Sequence, residues 1–269
     1  MKNIVMEKRV KRGRPAKIQI KSANEFNPKS LNITKGFDLN FSDKIFNSMK
    51  IGNEEMDCLF SSSGGIMPAT NMMVVGGAGA GKTTLALDWL SKIQRKDKKV
   101  LFISGEMDEI GYFKYCKRLS SFSNIPVLFL KHHRENVVET LEYVFNEGYD
   151  LILIDSVAEV LEMYRDQKSA TRKQAESWLI DIQDKTKLGN NKSKIHTTFI
   201  NIQQVSKSGE FVGSNRLKHM MDAMFIIEVN KDKTERKIHF DKNRDGDKEF
   251  KICFTFYKNE VFYSYEMAS

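Results

Sequence analysis

Gly76-Gly77-Ala78-Gly79-Ala80-Gly81-Lys82-Thr83-Thr84 completes the spacing G-x-x-x-x-G-K-[ST], and its flanks supply the context that this spacing needs. Ahead of it, Asn71-Met72-Met73-Val74-Val75 is an apolar run of strand length. Behind it, Leu85-Ala86-Leu87-Asp88-Trp89-Leu90 reads as the start of a helix. In that order the glycines permit a tight turn that points successive backbone N–H groups at one centre, and the helix start adds the positive end of its dipole. A polyphosphate fits such a cradle. Lys82 would reach the outer phosphates as a point charge, and the Thr83 hydroxyl would ligate a magnesium ion bridging them.

Two strand ends downstream face the same ligand. Lys99-Val100-Leu101-Phe102-Ile103-Ser104 is an apolar strand followed by Gly105-Glu106-Met107. A carboxylate just past the C-terminal end of a strand, in a sheet whose first strand ends in a phosphate loop, lies on the ligand side. Glu106 is therefore a candidate base; alternatively it is a helix-start glutamate beside Asp108 and Glu109 that favours the helix dipole. Leu151-Ile152-Leu153-Ile154-Asp155-Ser156 is a Walker B pattern, with Asp155 placed to hold the magnesium through water, opposite Thr83. Thr198-Phe199-Ile200-Asn201-Ile202 is a further strand, running into Gln203-Gln204. From Ala223 onward the period shifts to strands over 224–229, 236–240, 250–256 and 261–265, which predicts an antiparallel meander.

The chain of 269 residues suits one large α/β domain with an appendage. No apolar run approaches the roughly 20 residues that cross a bilayer, so no membrane partner is expected. Cys58, Cys116 and Cys253 are isolated from one another. That argues against a zinc ribbon and for a reducing compartment. The charged start lacks the apolar core of a secretory signal. The expectation is a cytoplasmic protein.

The net charge of +8 is not spread evenly. Residues 1–21 hold eight Lys and Arg against Glu7 alone, so nearly all of the excess lies in a tail. Such a tail points to a polyanion. Within it, Lys11-Arg12-Gly13-Arg14-Pro15-Ala16-Lys17 resembles an AT-hook: glycine and proline keep the segment extended, and Arg12 and Arg14 lie along a narrow A·T minor groove. The alternative is a basic tail that touches phosphates without preference. Residues 22–56 read as a linker or arm whose Phe37, Leu39, Phe41, Ile45, Phe46 and Met49 pack on the body or on a neighbouring subunit. Residues 57–269 form the domain.

Several of these elements occur together in a known order. Ser104-Gly105-Glu106-Met107, Asp155-Ser156, the segment from Gln203 to Gly209, Leu217-Lys218-His219-Met220-Met221-Asp222-Ala223 and Lys242-Asn243-Arg244-Asp245-Gly246 resemble the motif series of RecA-like ATPases. The set is most similar to the RadA branch, whose K-N-R-F-G element stands here as Lys242 to Gly246 and whose V-T-K-x-G stands as Val205 to Gly209. The likeness covers about residues 57–257. It lacks the zinc-binding cysteines and Lon-like domain of full-length RadA, which puts the functions of those parts in doubt.

The resemblance implies an α/β RecA-like P-loop NTPase core, with a mostly parallel sheet flanked by helices, and ATP with Mg²⁺ as its ligands. Residues 76–84 would cradle the nucleotide, Gly76, Gly77, Ala78, Gly79, Ala80 and Gly81 by backbone and Lys82, Thr83 and Thr84 at the helix start. Glu106 would deprotonate the attacking water, and Gln204, with Gln203 as fallback, would sense the outermost phosphate. Lys242 and Arg244 would act across a subunit boundary as an arginine finger does. Loops at about 164–173 and 205–218 would bring Arg165, Lys168, Arg172, Lys173, Lys207, Arg216 and Lys218 to single-stranded DNA, while the tail segment Arg12-Gly13-Arg14-Pro15 meets duplex. The expected protein is a homo-oligomeric, DNA-stimulated ATPase, a recombination, repair or annealing factor of a phage or mobile element. A DnaB-type ring helicase motor and an ATP-switched DNA-binding regulator are the alternatives.

Overall fold

The computed structural model describes residues 33–205, 213–232, 235–246, 249–257 and 260–265. The chain divides after Phe41 into a short N-terminal unit and a large body. The described part of the first unit holds one 3₁₀ turn, Gly36–Asp38.

The body is built on one sheet of nine strands. They are β1 (Asn71–Gly76), β2 (Val100–Ser104), β3 (Val127–Phe129), β4 (Leu151–Asp155), β5 (Thr198–Gln204), β6 (Ala223–Val229), β7 (Arg236–Asn243), β8 (Lys251–Tyr257) and β9 (Glu260–Tyr265). Their order across the sheet is β3-β2-β4-β5-β1-β6-β7-β8-β9. β3 through β6 in that order run parallel, and β6 to β9 form the antiparallel meander.

The helices are α1 (Glu54–Phe60), α2 (Lys82–Gln94), α3 (Glu109–Arg118), α4 (Val137–Asn146), α5 (Val157–Lys168), α6 (Arg172–Lys187) and α7 (Asn215–Met220). The central strands are apolar at nearly every position because both faces of the sheet are covered. Alternate side chains feed two cores: Met72, Val74, Leu151 and Leu153 join α2 on one side, while Met73, Val75, Ile152 and Ile154 join α4, α5 and α6 on the other. The helix launched by the phosphate loop, α2, is buried around most of its girth, from Leu85 to Ser91.

The body starts earlier than the sequence reading placed it. Met49, one of the arm side chains expected to pack on the body or on a neighbour, is a core residue, and so are Ile51 and Met56 of the same stretch. Met49 and Ile66 exchange backbone hydrogen bonds of 2.7 and 2.9 Å, and the Asp57 carboxylate accepts from the backbone N–H groups of Ile51 and Gly52 at 2.7 and 3.0 Å. A buried carboxylate needs such donors. The polar, irregular stretch is therefore stapled to α1, and the domain boundary lies near residue 42, not 57.

A second correction concerns residues 164–173. Only Ser169, Ala170 and Thr171 lie outside helices, since α5 runs to Lys168 and α6 starts at Arg172. Ser169 closes α5 in the left-handed region, and Thr171 with Gln174 forms a capping box for α6. The polar residues that read as a loop are the outer faces of two helices.

Candidate nucleotide site

Gly81 ends the phosphate loop at φ +98°, a conformation open to glycine, and a Cβ there would stand 2.6 Å from the Phe256 ring. With α2 starting at the next residue, Lys82 folds its ammonium back onto the loop, donating to the carbonyls of Gly76 and Gly77 at 2.8 and 3.0 Å. Burial pulls its pKa below the ordinary range, opposed by the charges of Asp155 and Glu106. Thr83 Oγ1 donates to Asp155 Oδ2 at 2.6 Å. These two oxygens, adjacent and facing the loop, are hard donors of the kind magnesium takes, so the residues present fit that ion.

The sheet register aligns the other ligand-side groups. Ser104 pairs with Asp155, which puts Glu106 just beyond the same edge. Glu106 is not part of α3, because Asp108 caps that helix by accepting from Gly111 N at 2.7 Å. It accepts instead from Ser156 Oγ at 2.6 Å. Gln204 is level with Gly76, beside the root of the loop, and is exposed, whereas Gln203 is buried.

A cavity of about 410 Å³ opens from the loop, lined by Gly79, Gly81, Lys82, Thr83 and Thr84 and by six residues that sequence reasoning did not assign: Tyr115, Arg118, Leu119, Arg236, Phe256 and Glu260. Arg118 lies 4.7 Å over Tyr115 and Arg236 lies 5.2 Å over Phe256, giving two cation–aromatic pairs on the cavity wall. A base and its phosphates could be held there. Arg118 stood in sequence within Lys117-Arg118-Leu119, but Arg236 and Phe256 come from the meander, with no local motif to announce them.

Lys242 and Arg244 lie elsewhere. β1 pairs in parallel with β6 from Met72–Ala223 to Gly76–Ile227, and β6 pairs with β7 so that Ala223 meets Asn243 and Val229 meets Arg236. Arg236 is thus at the phosphate-loop end of β7, while Lys242 sits at the other end, roughly 20 Å away at about 3.3 Å per residue, with Arg244 just beyond it. They cannot reach the loop of their own chain.

A family model described as "ATPase: KaiC" matches residues 49–123. The DNA repair protein RadA of Campylobacter jejuni is 27% identical over 203 residues, covering 75% of this chain and 43% of that protein. RadA of Chlamydia trachomatis is 29% identical over 183 residues, covering 68% of this chain and 38% of its own. The chain thus matches about two fifths of the length of these curated relatives. Among solved structures, the flagellar accessory protein FlaH of Methanocaldococcus jannaschii aligns with a TM-score of 0.59 at 13% identity, over 82% of this chain and 98% of that one. A KaiC-like protein of Pyrococcus horikoshii aligns with a TM-score of 0.57 at 15% identity, over 81% and 98%.

The chain has a RecA-like P-loop fold.

On this RecA-like core the residues expected to meet DNA are mostly engaged within the chain. Arg165 pairs with Glu162 at 2.7 Å, Lys168 with Glu139 at 3.1 Å, Arg172 with Glu176 at 3.2 Å and Lys218 with Asp241 at 2.7 Å. Arg216 donates to Ser177 Oγ at 2.6 Å. Lys173 is exposed at the start of α6. Lys207, and Arg12, Gly13, Arg14 and Pro15 in the tail, lie outside the described residues. No helix among the described residues is long and apolar enough to cross a membrane.

Burial pushes the Asp155 carboxyl of this RecA-like site up to about 6 from an ordinary 3.8, the Glu106 charge adding to the rise and the Thr83 hydrogen bond opposing it. A raised carboxyl favours the folded state when protonated, so this contribution is full below pH 3.8 and lost as pH rises through about 6. It amounts to something on the order of 3 kcal/mol. Nucleotide-free protein should therefore become less stable than Asp155→Asn as pH is raised from about 4 to 7. Thermal unfolding of both proteins measures the gap; one that stays constant with pH would show an ordinary Asp155.

Proposed function

We propose that this core binds and hydrolyses ATP in the cavity beside Lys82, and that it acts on single-stranded DNA as an oligomer whose sites are completed between neighbouring copies. The observation that carries the reading is the meeting of Thr83, Asp155, Ser156 and Glu106 at the mouth of the phosphate loop. The name shared by the RadA relatives supports a role in DNA repair.

In this reading Lys82 leaves the carbonyls of Gly76 and Gly77 and turns to the incoming phosphates, while loop N–H groups hold them from below. Thr83, and Asp155 through water, would hold the magnesium, which supplies neutralisation of phosphate charge. Glu106 takes the proton of the attacking water, and Ser156 fixes that carboxylate by its hydrogen bond. Gln204, next to Gly76, couples the state of the outermost phosphate to the segment that follows β5. Lys242 and Arg244 offset charge in the transition state of a neighbour's site.

The deciding experiment is ATP turnover with no nucleic acid, with single strand and with duplex, alongside particle size. Turnover raised by single strand in an assembled species supports the reading. Turnover near zero in all three conditions would leave a protein that ATP only switches, and duplex unwinding coupled to turnover would point to a ring motor.

The tail gives a separate expectation. Deleting residues 1–21 removes nearly all of the excess charge, so the log–log salt dependence of duplex binding should flatten by up to about 6 units, with affinity lowered accordingly. If the segment acts as an AT-hook, A·T-rich duplex outcompetes G·C-rich duplex before deletion and not after. An unchanged slope would remove the tail from DNA binding altogether.

A further inference from the structure

The cations at the far end of the sheet are held by one short segment of their own chain. Lys242 Nζ donates to the carbonyls of His219, at 2.9 Å, and of Met221. Arg244 Nη1 donates to Asp222 Oδ1 at 2.8 Å, and its backbone N–H donates to the Asp222 carbonyl at 3.2 Å. Asp222 is fixed in turn: its other oxygen accepts from Lys187 Nζ at 2.6 Å and from Asn71 N at 2.9 Å. The Asp222 side chain is 11% exposed against 59% for Arg244. A carboxylate locked from behind by α6 and β1 therefore grips one edge of a guanidinium that otherwise faces solvent.

We propose that Asp222 is a positioning residue for the trans-acting Arg244, a role that rests on the reading of Arg244 given above. Arginine carries several rotatable bonds and loses their freedom when it meets a phosphate in one geometry. A charge-assisted bond to a fixed carboxylate removes that freedom before the neighbour arrives and leaves the outer N–H groups aimed outward. Lys187 and Asn71 keep the carboxylate from following the guanidinium as it docks. Asp222 touches no reacting atom; its effect passes through Arg244.

Asp222 also ties β1, α6 and β7 together, so a simple loss of activity on substitution would say nothing about position. Mixed assemblies separate the two. A Lys82→Ala chain keeps its finger without a working loop, and an Arg244→Ala chain keeps its loop without a finger, so turnover in their mixture arises where one chain's finger meets the other's loop. Adding Asp222→Asn to the Lys82→Ala chain should lower this recovered turnover about tenfold or more. Adding it to the Arg244→Ala chain should change it less than about twofold. Particle size confirms that all mixtures assemble. Equal losses from both placements, or a loss from neither, would overturn the positioning role. No recovered turnover in the parental mixture would overturn the trans reading of Arg244 itself, and Asp222's role with it, before Asp222 is changed.

Discussion

Glu106→Gln should bind ATP as tightly as the unaltered protein and turn it over about 10²–10⁴ times more slowly, the span that a positioned proton acceptor contributes. The substitution keeps shape and the ability to accept from Ser156 Oγ, the bond of 2.6 Å that holds this side chain. It removes only the capacity to take a proton. Because Asp108 caps α3 and Glu106 stands outside that helix, no helix-dipole interaction is lost with the charge. Lys82→Ala makes the contrast, since the ammonium meets ground-state phosphates and its loss should abolish binding. Nucleotide affinity by calorimetry and single-turnover hydrolysis separate the two defects. Normal turnover in Glu106→Gln would end its assignment as base.

Arg244→Ala should show a loss of turnover on the order of 10³-fold, as removal of an arginine finger does, with ATP affinity unchanged. The register of β1, β6 and β7 is the reason for proposing an effect between subunits, because it puts Arg244 at the opposite end of the sheet from the loop of its own chain. In an equal mixture with Lys82→Ala, random assembly pairs an intact loop with an intact finger at roughly one boundary in four, so about a quarter of full turnover per site should return. Each protein assayed alone should stay inactive. Recovery absent despite co-assembly would assign the catalytic charge to some other group.

What could be read from the residues alone was whatever lies in a contiguous stretch. The phosphate loop and the strand ending in Asp155 were legible because strand, turn and helix-start signals follow one another within a few residues. The RecA-like resemblance implied a mostly parallel sheet flanked by helices, which the two cores filled by alternate side chains bear out. The cavity wall was not legible, since Arg236 and Phe256 reach the loop only through the pairing of β6 with β7 and of β7 with β8. The stretch 164–173 was misread because polarity was taken for irregularity, although Thr171-x-x-Gln174 spelled out a helix start. For residues 42–56, packing on the body was one of two readings left open, and Met49 takes it, held where the Asp57 carboxylate satisfies the backbone at Ile51 and Gly52.

The separation of Gly76 from Arg244 along the sheet also has a stoichiometric meaning. If Arg244 acts in trans as proposed, joining copies head to tail completes one site at each boundary and gives the assembly a direction. An open row always ends in one unfilled loop and one unused finger, whereas a closed ring has neither. The number of working sites is then set by boundaries and not by chains. A pair joined head to tail would own one site, and the activity of each added molecule would depend on whether it finds an end to extend.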